Sequence, residues 1–278
     1  MLPIVSVIIP NYNNANYIVD TIESGLAQDY PNTEIIVIDD GSTDGSIEIL
    51  RKYGNQIRVI STNHRGASAA RNSGILAARG DLIALMDSDD IWLPNKLTLQ
   101  VTHMLEGTLD LVYCGGRQFG DIDINARIYS PQYEGNCRKA FEDNPTSAVI
   151  VLGCSGAIFR KSLLSFSGLF DTTFQNAAED WDFFRRYCVN TKVGFVKEEL
   201  VLYRKHSNNL SSSSLYDYYN GNCNAVRKML LFGSDLSFLS RRKIWIKLQV
   251  SYMKTFFKAG KIFAGLKCAF RTLLPLSV

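Results

Sequence analysis

The sequence of 278 residues predicts an α/β fold with a Rossmann-like, mainly parallel sheet flanked by helices. Two observations lead to this prediction. Between residues 4 and 86, short β-branched or aliphatic runs alternate four times with segments that have apolar residues at helical spacing. Carboxylates also follow two of the apolar runs, where a parallel sheet would gather them at one edge. Such alternation implies right-handed crossovers, helices on both faces and a nucleotide-binding type of architecture.

The four repeats can be assigned in order along the chain. The predicted strands are 4–9, 34–38, 57–60 and 82–86. The predicted helices carry Ile18, Ile22 and Leu26, then Ile47, Ile49 and Leu50, and then the Ala-rich run 66–79. Asp44 is placed to cap the second of these helices.

The chain beyond residue 105 predicts a second half of the same domain. Residues 149–152 and 157–159 have the composition of strands that return to the sheet, and Glu179 opens a helix with apolar anchors. We therefore expect a catalytic domain over 1–210, with a nucleotide-binding half (1–105) and an acceptor half (106–210). A helical extension is expected over 211–278.

Composition excludes several classes of protein. The sequence is 46% hydrophobic and 21% charged, so it can bury a large core. Its 6 Cys form no Cys-x-x-Cys pair, which argues against a zinc cage or a disulfide framework. No apolar run reaches the roughly 18 residues of a membrane span, and the first residues lead directly into a strand pattern. We expect a cytoplasmic protein without a nucleic-acid partner.

An acidic cluster follows the fourth predicted strand. Asp87, Asp89 and Asp90 place three carboxylates within four residues, and these repel one another unless a cation or a donor compensates them. Hard oxygen ligands suit Mg²⁺ or Mn²⁺. The alternative is a solvated acidic turn before the helix that Pro94 opens.

Other strand ends carry groups suited to a nucleotide. Asp40 can accept from a base N–H, Tyr12 can stack on a base, and Arg71 can reach a phosphate. Each also has a structural interpretation, since Asp40 can cap a turn, Tyr12 can pack on a helix and Arg71 can pair with a surface carboxylate. The sequence has no Gly-x-Gly-x-x-Gly after the first strand and no P-loop.

Taken together, four segments resemble the family 2 glycosyltransferases of GT-A fold. Residues 5–13, 37–45, 66–74 and 86–90 match family motifs in the same order and at similar spacing. The resemblance continues through 168–171, 179–182 and 203–206, so it covers roughly residues 3–210.

The resemblance implies roles for particular residues. Asp180 matches the catalytic base, and His206 matches a histidine near the metal and diphosphate, although a surface histidine is an equal alternative. Asp87 and Asp89, with Ser88 between them, match the Asp-x-Asp motif that holds ribose and Mn²⁺ or Mg²⁺. The nucleotide-binding positions of the family correspond here to Pro10, Tyr12, Asp40 and Arg71. His64 and His103 are assigned no role.

The expected activity is inverting transfer of one sugar from a nucleotide-sugar donor, taken as a UDP-sugar. The acceptor implied by the resemblance is a hydroxyl of a glycan or lipid-linked intermediate in bacterial surface polysaccharide synthesis, with residues 125–144 setting its identity. The Gln-x-x-Arg-Trp motif of processive synthases is absent from the sequence. A nucleotidyltransferase and a non-catalytic sugar-nucleotide-binding protein are the alternatives.

The residues after Asp235 have a different charge from the rest of the chain. After Asp235 there are nine basic and no acidic residues, which leaves 21 basic against 27 acidic residues before it. One predicted helical face contains Trp245, Leu248, Tyr252, Phe256, Ala259, Phe263 and Leu266. Lys243, Lys247, Lys254, Lys258 and Lys261 lie roughly opposite.

This pattern predicts an amphipathic helix on an anionic membrane surface, at the inner face of the cell membrane. Alternatively, the aromatic face packs on the catalytic domain or on a second copy of the chain in a homo-oligomer. Gly260 and Gly265 weaken a single continuous helix.

Overall fold

The computed structural model describes residues 2–120, 127–143, 145, 150–174, 178–206, 209, 214–232 and 237–273. The strands are β1 Val5–Asn11, β2 Thr33–Asp39, β3 Arg58–Ser61, β4 Leu82–Leu85, β5 Ile91–Trp92, β6 Leu111–Gly120, β7 Ile128–Tyr129, β8 Ala157–Arg160 and β9 Val193–Lys205. The α-helices are α1 Ile18–Leu26, α2 Ser46–Arg51, α3 Ala67–Ala77, α4 Lys96–Glu106, α5 Arg138–Asp143, α6 Gly153–Gly156, α7 Leu164–Ser167, α8 Glu179–Cys188, α9 Leu215–Phe232, α10 Phe238–Lys258 and α11 Ile262–Leu273.

The first four long strands form the parallel half of one mixed sheet, in the order β3-β2-β1-β4. β1 is buried on both faces, and its alternate residues enter different cores: Ile8 packs with the α3 side, and Val7 and Ile9 with the α1 side. Gly74 lets α3 approach the sheet closely, because a Cβ there would lie 2.4 Å from Ile8 Cγ2. The predicted α/β class, the four strands and the three helices of this half are confirmed.

The second half continues the sheet in the order β8-β6-β9-β5, and β7 pairs with β6. β8 is antiparallel to both β4 and β6, whereas β6 and β9 run parallel. The strand predicted over 157–159 is confirmed as β8. The strand predicted over 149–152 is wrong for residues 150–152, and residue 149 lies outside the described part of the chain. A left-handed backbone at Leu152 (φ 59°) and Gly153 (φ 43°) turns the chain there into α6.

The C-terminal region is helical, and the predicted amphipathic segment divides into two helices at Gly260, one of the two glycines expected to weaken a continuous helix. α10 ends at Lys258, Gly260 adopts a φ of +69°, and α11 begins at Ile262 and returns along α10. Arg242 near the start of α10 donates to the carbonyls of Thr272 and Leu273 at the end of α11.

The predicted aromatic face of this region divides between the two helices. Trp245, Leu248, Tyr252 and Phe256 of α10 are buried in the core shared with α8 and α9, so the packing alternative holds for them. The α11 residues Phe263 and Leu266 are instead exposed to solvent, at 89% and 54%. No helix in the described residues is long and apolar enough to cross a membrane.

Candidate active site

The candidate site begins at the carboxyl edge of the parallel strands, where β4 ends in the acidic cluster. The backbone N–H of Asp87 donates to Ser155 Oγ at 3.0 Å, and that of Asp90 donates to the carbonyl of Asp87 in a tight turn. Ser88 Oγ accepts from Asn14 Nδ2 at 2.6 Å, which ties the cluster to the loop after β1. The first and fourth strands thus bring their polar ends together, as their parallel register requires.

Asp40 follows the end of β2 and is buried. Its Oδ1 accepts from Thr62 Oγ1 at 2.5 Å and from the Arg65 N–H at 2.9 Å, and its Oδ2 accepts from the Gly66 N–H at 2.7 Å. The carboxylate therefore fixes the loop that leads into α3. A base N–H would have to share Oδ2 with Gly66 or displace an existing donor.

Tyr12 directly follows the last residue of β1, and Pro10 is the penultimate residue of that strand. Its side chain is 44% exposed, and its ring lies over His64 with the ring centroids 4.1 Å apart. His64, which has no role assigned from the sequence, adopts a φ of +45°. The pair forms an exposed aromatic surface beside the Asp40 loop.

Arg71 joins the two acidic segments of the sequence. Its Nη2 pairs with Asp87 Oδ1 at 2.9 Å and its Nη1 with Glu179 Oε1 at 3.1 Å. The side chain is almost completely buried, and its guanidinium lies 5.5 Å from the centre of the Phe170 ring. The alternative of a surface ion pair is therefore wrong, because the partners are the two motifs themselves, which are separated by some ninety positions in the chain.

Asp180 lies in the first turn of α8, after Ala178 has reversed the chain with a φ of +70°. Its Oδ1 accepts from the Trp181 N–H at 2.8 Å. Its Oδ2 occupies space that Gly153 leaves open, since a Cβ at residue 153 would lie 2.4 Å from that oxygen. Burial, followed by the charge of Glu179 and opposed by Arg71, raises the pKa of Asp180 to about 7. A carboxylate with this pKa is suited to take a proton at neutral pH.

Asp89 is held by the segment that follows β9. Its Oδ2 lies 2.9 Å from His206 Nε2 and accepts from Asn209 Nδ2 at 3.0 Å, and the Tyr17 ring stacks on His206 at 4.5 Å. His206 is buried, so the surface alternative for this histidine is wrong. Burial and then the charge of Asp87 raise the pKa of Asp89, while His206 lowers it.

Three neighbours of these residues, Ser155, Gly153 and Asn209, had no recognisable signal in the sequence, whereas Asp90 belongs to the predicted acidic cluster. Asp90 is fully buried and accepts from the Arg204 N–H at 3.0 Å, while Ser155, Gly153 and Asn209 support Asp87, Asp180 and Asp89. Ser155 and Gly153 lie in the segment predicted as strand, loop and strand. Only the four-residue helix α6 brings them below the acidic cluster.

The donor set has the chemistry of a divalent cation site with few protein ligands. Asp87 and Asp89 offer hard carboxylate oxygens, and the charge of Asp87 acts on Asp89 in a site that is largely removed from solvent. Within the described residues no three His, Cys, Asp or Glu side chains are arranged to hold a metal by themselves. Mg²⁺ commonly uses one or two carboxylates together with substrate phosphates and water, so the residues fit a cation that arrives with a diphosphate.

Comparison with protein families gives a match over the first part of the chain. The model described as glycosyl transferase family 2 matches residues 6–166, more than half of the chain. The matched segment contains the donor-side candidates Tyr12, Asp40, Arg71, Asp87 and Asp89.

Two relatives with specific names have similar sequences. Glycosyltransferase GlyG of Streptococcus pneumoniae is 30% identical over 224 residues, which cover 76% of this chain and 73% of the relative. The UDP-Glc:alpha-D-GlcNAc-diphosphoundecaprenol beta-1,3-glucosyltransferase WfgD of Escherichia coli is 35% identical over 131 residues, which cover 46% of this chain and 52% of that protein.

A solved structure of similar fold is that of TarS from S. aureus in complex with UDP-GlcNAc. It superposes with a TM-score of 0.68 at 19% sequence identity, covering 95% of this chain and 90% of that chain. At this level of identity the likeness concerns the fold alone. The GT-A architecture expected from the sequence motifs is thereby confirmed.

Proposed function

Because the chain belongs to glycosyl transferase family 2, we propose that it transfers one sugar, with inversion, from a UDP-sugar to a hydroxyl of a lipid-linked glycan. The relative WfgD is named for a UDP-glucose donor and a diphosphoundecaprenol-linked acceptor, and TarS was solved with UDP-GlcNAc. These names support the choice of donor and acceptor class.

The observation that carries the proposal is the buried Arg71 bridge. One guanidinium contacts Asp87 of the donor-side motif and Glu179, the neighbour of Asp180, at 2.9 and 3.1 Å. A donor held at Asp87 would therefore have its anomeric carbon near the start of α8. Sugar transfer needs this closeness, because the acceptor oxygen must attack that carbon as it loses its proton.

In the proposed reaction, Asp180 takes the proton of the acceptor hydroxyl. The acceptor oxygen forms a bond to the anomeric carbon while the bond from that carbon to the diphosphate oxygen breaks, and the electron pair leaves with UDP. Attack opposite the leaving group inverts the anomeric centre. The Trp181 N–H holds Oδ1 of Asp180, and Gly153 leaves room for Oδ2, which keeps the base oriented for one acceptor position.

We assign the donor to the edge formed by β1, β2 and β4. The exposed Tyr12 ring supports a base at this edge, and Asp40 lies beside it. The other residues proposed for the nucleotide-sugar are Pro10, Arg71, Asp87 and Ser88.

We further propose that Asp87 and Asp89, with His206 behind them, hold Mn²⁺ or Mg²⁺ when the donor is bound. The cation would neutralise charge on the departing diphosphate. His206 is placed to orient Asp89 through its 2.9 Å contact. A lipid-linked acceptor also implies that the transfer takes place at the cytoplasmic face of the membrane, with the protein bound peripherally.

The test is a panel of nucleotide-sugars measured with the full chain. A true donor should raise the melting temperature in Mn²⁺ and not in EDTA, since a ligand at 100 times its Kd stabilises by about 2.7 kcal/mol. Slow release of UDP from that donor without acceptor should also require the metal. Stabilisation by UTP with formation of a UDP-sugar from a sugar 1-phosphate would instead identify a nucleotidyltransferase, and binding without any turnover would identify a binding protein.

A further inference from the structure

α11 is apolar on two sides, and only one of them is covered. Gly265 and Cys268 are buried against the rest of the molecule, and Gly265 allows this approach because a Cβ there would lie 2.5 Å from the Phe257 ring. The exposed apolar residues of α11, from 54% to 89% exposed, form a second face that we call the outer arc: Ile262, Phe263, Leu266, Phe270 and Leu273.

The outer arc is a continuous stripe. At about 100° per residue, its five residues fall within roughly 100° of the helix circumference, on the side away from Gly265 and Cys268. Phe238 and Leu239, also exposed, lie near the far end of the stripe, because Arg242 one turn later contacts the last carbonyls of α11. A soluble monomer rarely leaves a contiguous apolar surface of this kind uncovered.

The charged residues of α10 and α11 are all basic. Lys254, Lys258 and Lys261 are exposed where α10 turns into α11, and Lys267 flanks the arc, with its Nζ 3.0 Å from the Tyr216 hydroxyl. The sequence contains no acidic residue after Asp235. Aromatic and aliphatic residues bordered by lysines are the chemistry of an interfacial helix on anionic lipid.

We propose that the outer arc of α11 docks the protein on an anionic phospholipid bilayer. The buried α10 face that the sequence favoured cannot serve this purpose. A second copy of the chain fits the surface less well, because a two-fold interface through the arc would bring the same lysines of both copies together.

The docking surface is connected rigidly to the candidate base. α10 is linked to α9 by the hydrogen bonds of Asn222 Nδ2 to the Tyr252 hydroxyl at 2.9 Å and of the Tyr219 hydroxyl to Gln249 Oε1 at 2.8 Å. α9 in turn packs on α8, whose first turn contains Asp180. The purpose of this arrangement, presenting a lipid-linked acceptor to Asp180, rests on the proposed function, but the docking itself does not.

Sedimentation of the full chain with vesicles tests the proposal. Wild type should bind phosphatidylcholine vesicles that contain phosphatidylglycerol, and binding should weaken with salt and in pure phosphatidylcholine. The double variant Phe263→Ser/Phe270→Ser should bind at least roughly tenfold more weakly, because two exposed aromatic anchors are lost without disturbing the core. Phe166→Ser is the matched control, since Phe166 is 66% exposed on α7.

Two triple variants with the same change in net charge distinguish binding through the lysines near the outer arc from a general attraction of the protein to anionic lipid. Lys254→Gln/Lys258→Gln/Lys261→Gln should lose most binding, whereas Lys52→Gln/Lys139→Gln/Lys197→Gln, which removes three exposed lysines elsewhere, should retain it. Vesicle binding by Lys254→Gln/Lys258→Gln/Lys261→Gln that equals that of wild type would overturn the proposal. So would a dimer in solution that Phe263→Ser/Phe270→Ser converts to a monomer, because the arc would then be a subunit interface. UDP release without acceptor is measured in parallel, so that a failure of the proposed activity is distinguished from a failure of docking.

Discussion

The two acidic clusters of the chain have nearly the same composition and different electrostatic outcomes. Asp87, Asp89 and Asp90 place three carboxylates in four residues, and each has a protein partner: Arg71 for Asp87, His206 for Asp89 and the Arg204 N–H for Asp90. This cluster follows a strand and is supported from three other segments of the chain.

Among the residues that the structure describes, each cluster leaves one carboxylate without a cation of its own: Asp90 in the first, which accepts from the backbone N–H of Arg204, and Asp180 in the second. Glu179 pairs with Arg71, and Asp182 pairs with Arg186 at 2.7 Å. Asp180 receives the Trp181 N–H, and within the described residues no basic side chain forms an ion pair with it. The comparison shows that the pairing of its neighbours isolates Asp180, and burial then raises its pKa to about 7.

The largest expected effect separates the members of the second cluster. Asp180→Asn should lower turnover by about 10² to 10⁴, because the isolated carboxylate is the one that can accept a proton, while donor binding stays nearly normal. The measurement is kcat with an identified donor and acceptor. Asp182→Asn is the control, since it removes a buried charge two residues away that belongs to the Arg186 ion pair. Similar losses in both variants would mean that the charge of the helix start matters rather than a particular carboxylate.

The first cluster should respond in donor binding rather than in proton transfer. Asp89→Asn should weaken UDP-sugar binding in Mn²⁺ by roughly 10- to 100-fold, the usual effect of disturbing a metal ligand or its support, and should change binding in EDTA little. Calorimetric titration with and without the metal measures this. Unchanged affinity in Mn²⁺ would remove Asp89 from the proposed cation site.

The space beside Asp180 gives a third way to test the comparison. Gly153→Ala places a methyl group against Asp180 Oδ2, so we expect turnover to fall roughly tenfold or more through misplacement of the base. Gly54→Ala is the matched control, because Gly54 also has a positive φ (+53°) but nothing within 4 Å of the added Cβ. Both variants should lose about 1 kcal/mol of stability from backbone strain. Equal turnover in the two variants would contradict a positioning role for Gly153.

The raised pKa of Asp180 predicts the direction of pH dependence. Turnover should decrease below pH 7, by roughly tenfold per pH unit, because protonated Asp180 cannot act as a base. Arg71 lowers the pKa of Asp180, and a lysine at residue 71 cannot span both carboxylates as the guanidinium does. The acidic limb of the kcat profile should therefore move to higher pH in Arg71→Lys. A limb that stays in place would disconnect Arg71 from the base.

The smallest expected effect is on stability. The folded-state pKa of Asp180 lies above its unfolded value, so ionisation destabilises the fold progressively as the pH rises from about 4 to about 7. Asp180→Asn should thus stabilise the protein by about 1–2 kcal/mol at pH 8, less than the roughly 4 kcal/mol that three pKa units would allow, because a buried amide has its own cost. Denaturant unfolding at pH 8 and pH 4 measures this, and an equal gain at both pH values would contradict the electrostatic origin.

The parallel half of the fold and the acidic segments that contribute to the candidate site could be predicted from the sequence alone. Local periodicity was sufficient there, because β1, β2 and β4 are short apolar runs buried on both faces and separated by helices whose apolar spacing is regular. The predictions failed where residues adjacent in the sequence do not indicate the tertiary environment of a segment. Residues 150–152 are apolar like a strand, but the positive φ of Leu152 and Gly153 depends on the fit of α6 beneath Asp87 and beside Asp180.

The pairing of the carboxylates and the helical face that is covered could not be predicted from the sequence and are seen only in the tertiary structure. Arg71 reaches Asp87 and Glu179 because β4 and α8 meet in space, although 92 positions of sequence separate the two acids. In the C-terminal region, Phe256 and Phe263 belong to one predicted stripe, yet Gly260 reverses the chain between them and leaves one buried and the other exposed. Burial and ion pairing depend on long-range contacts, and the periodicity of a single segment contains no information about its partner.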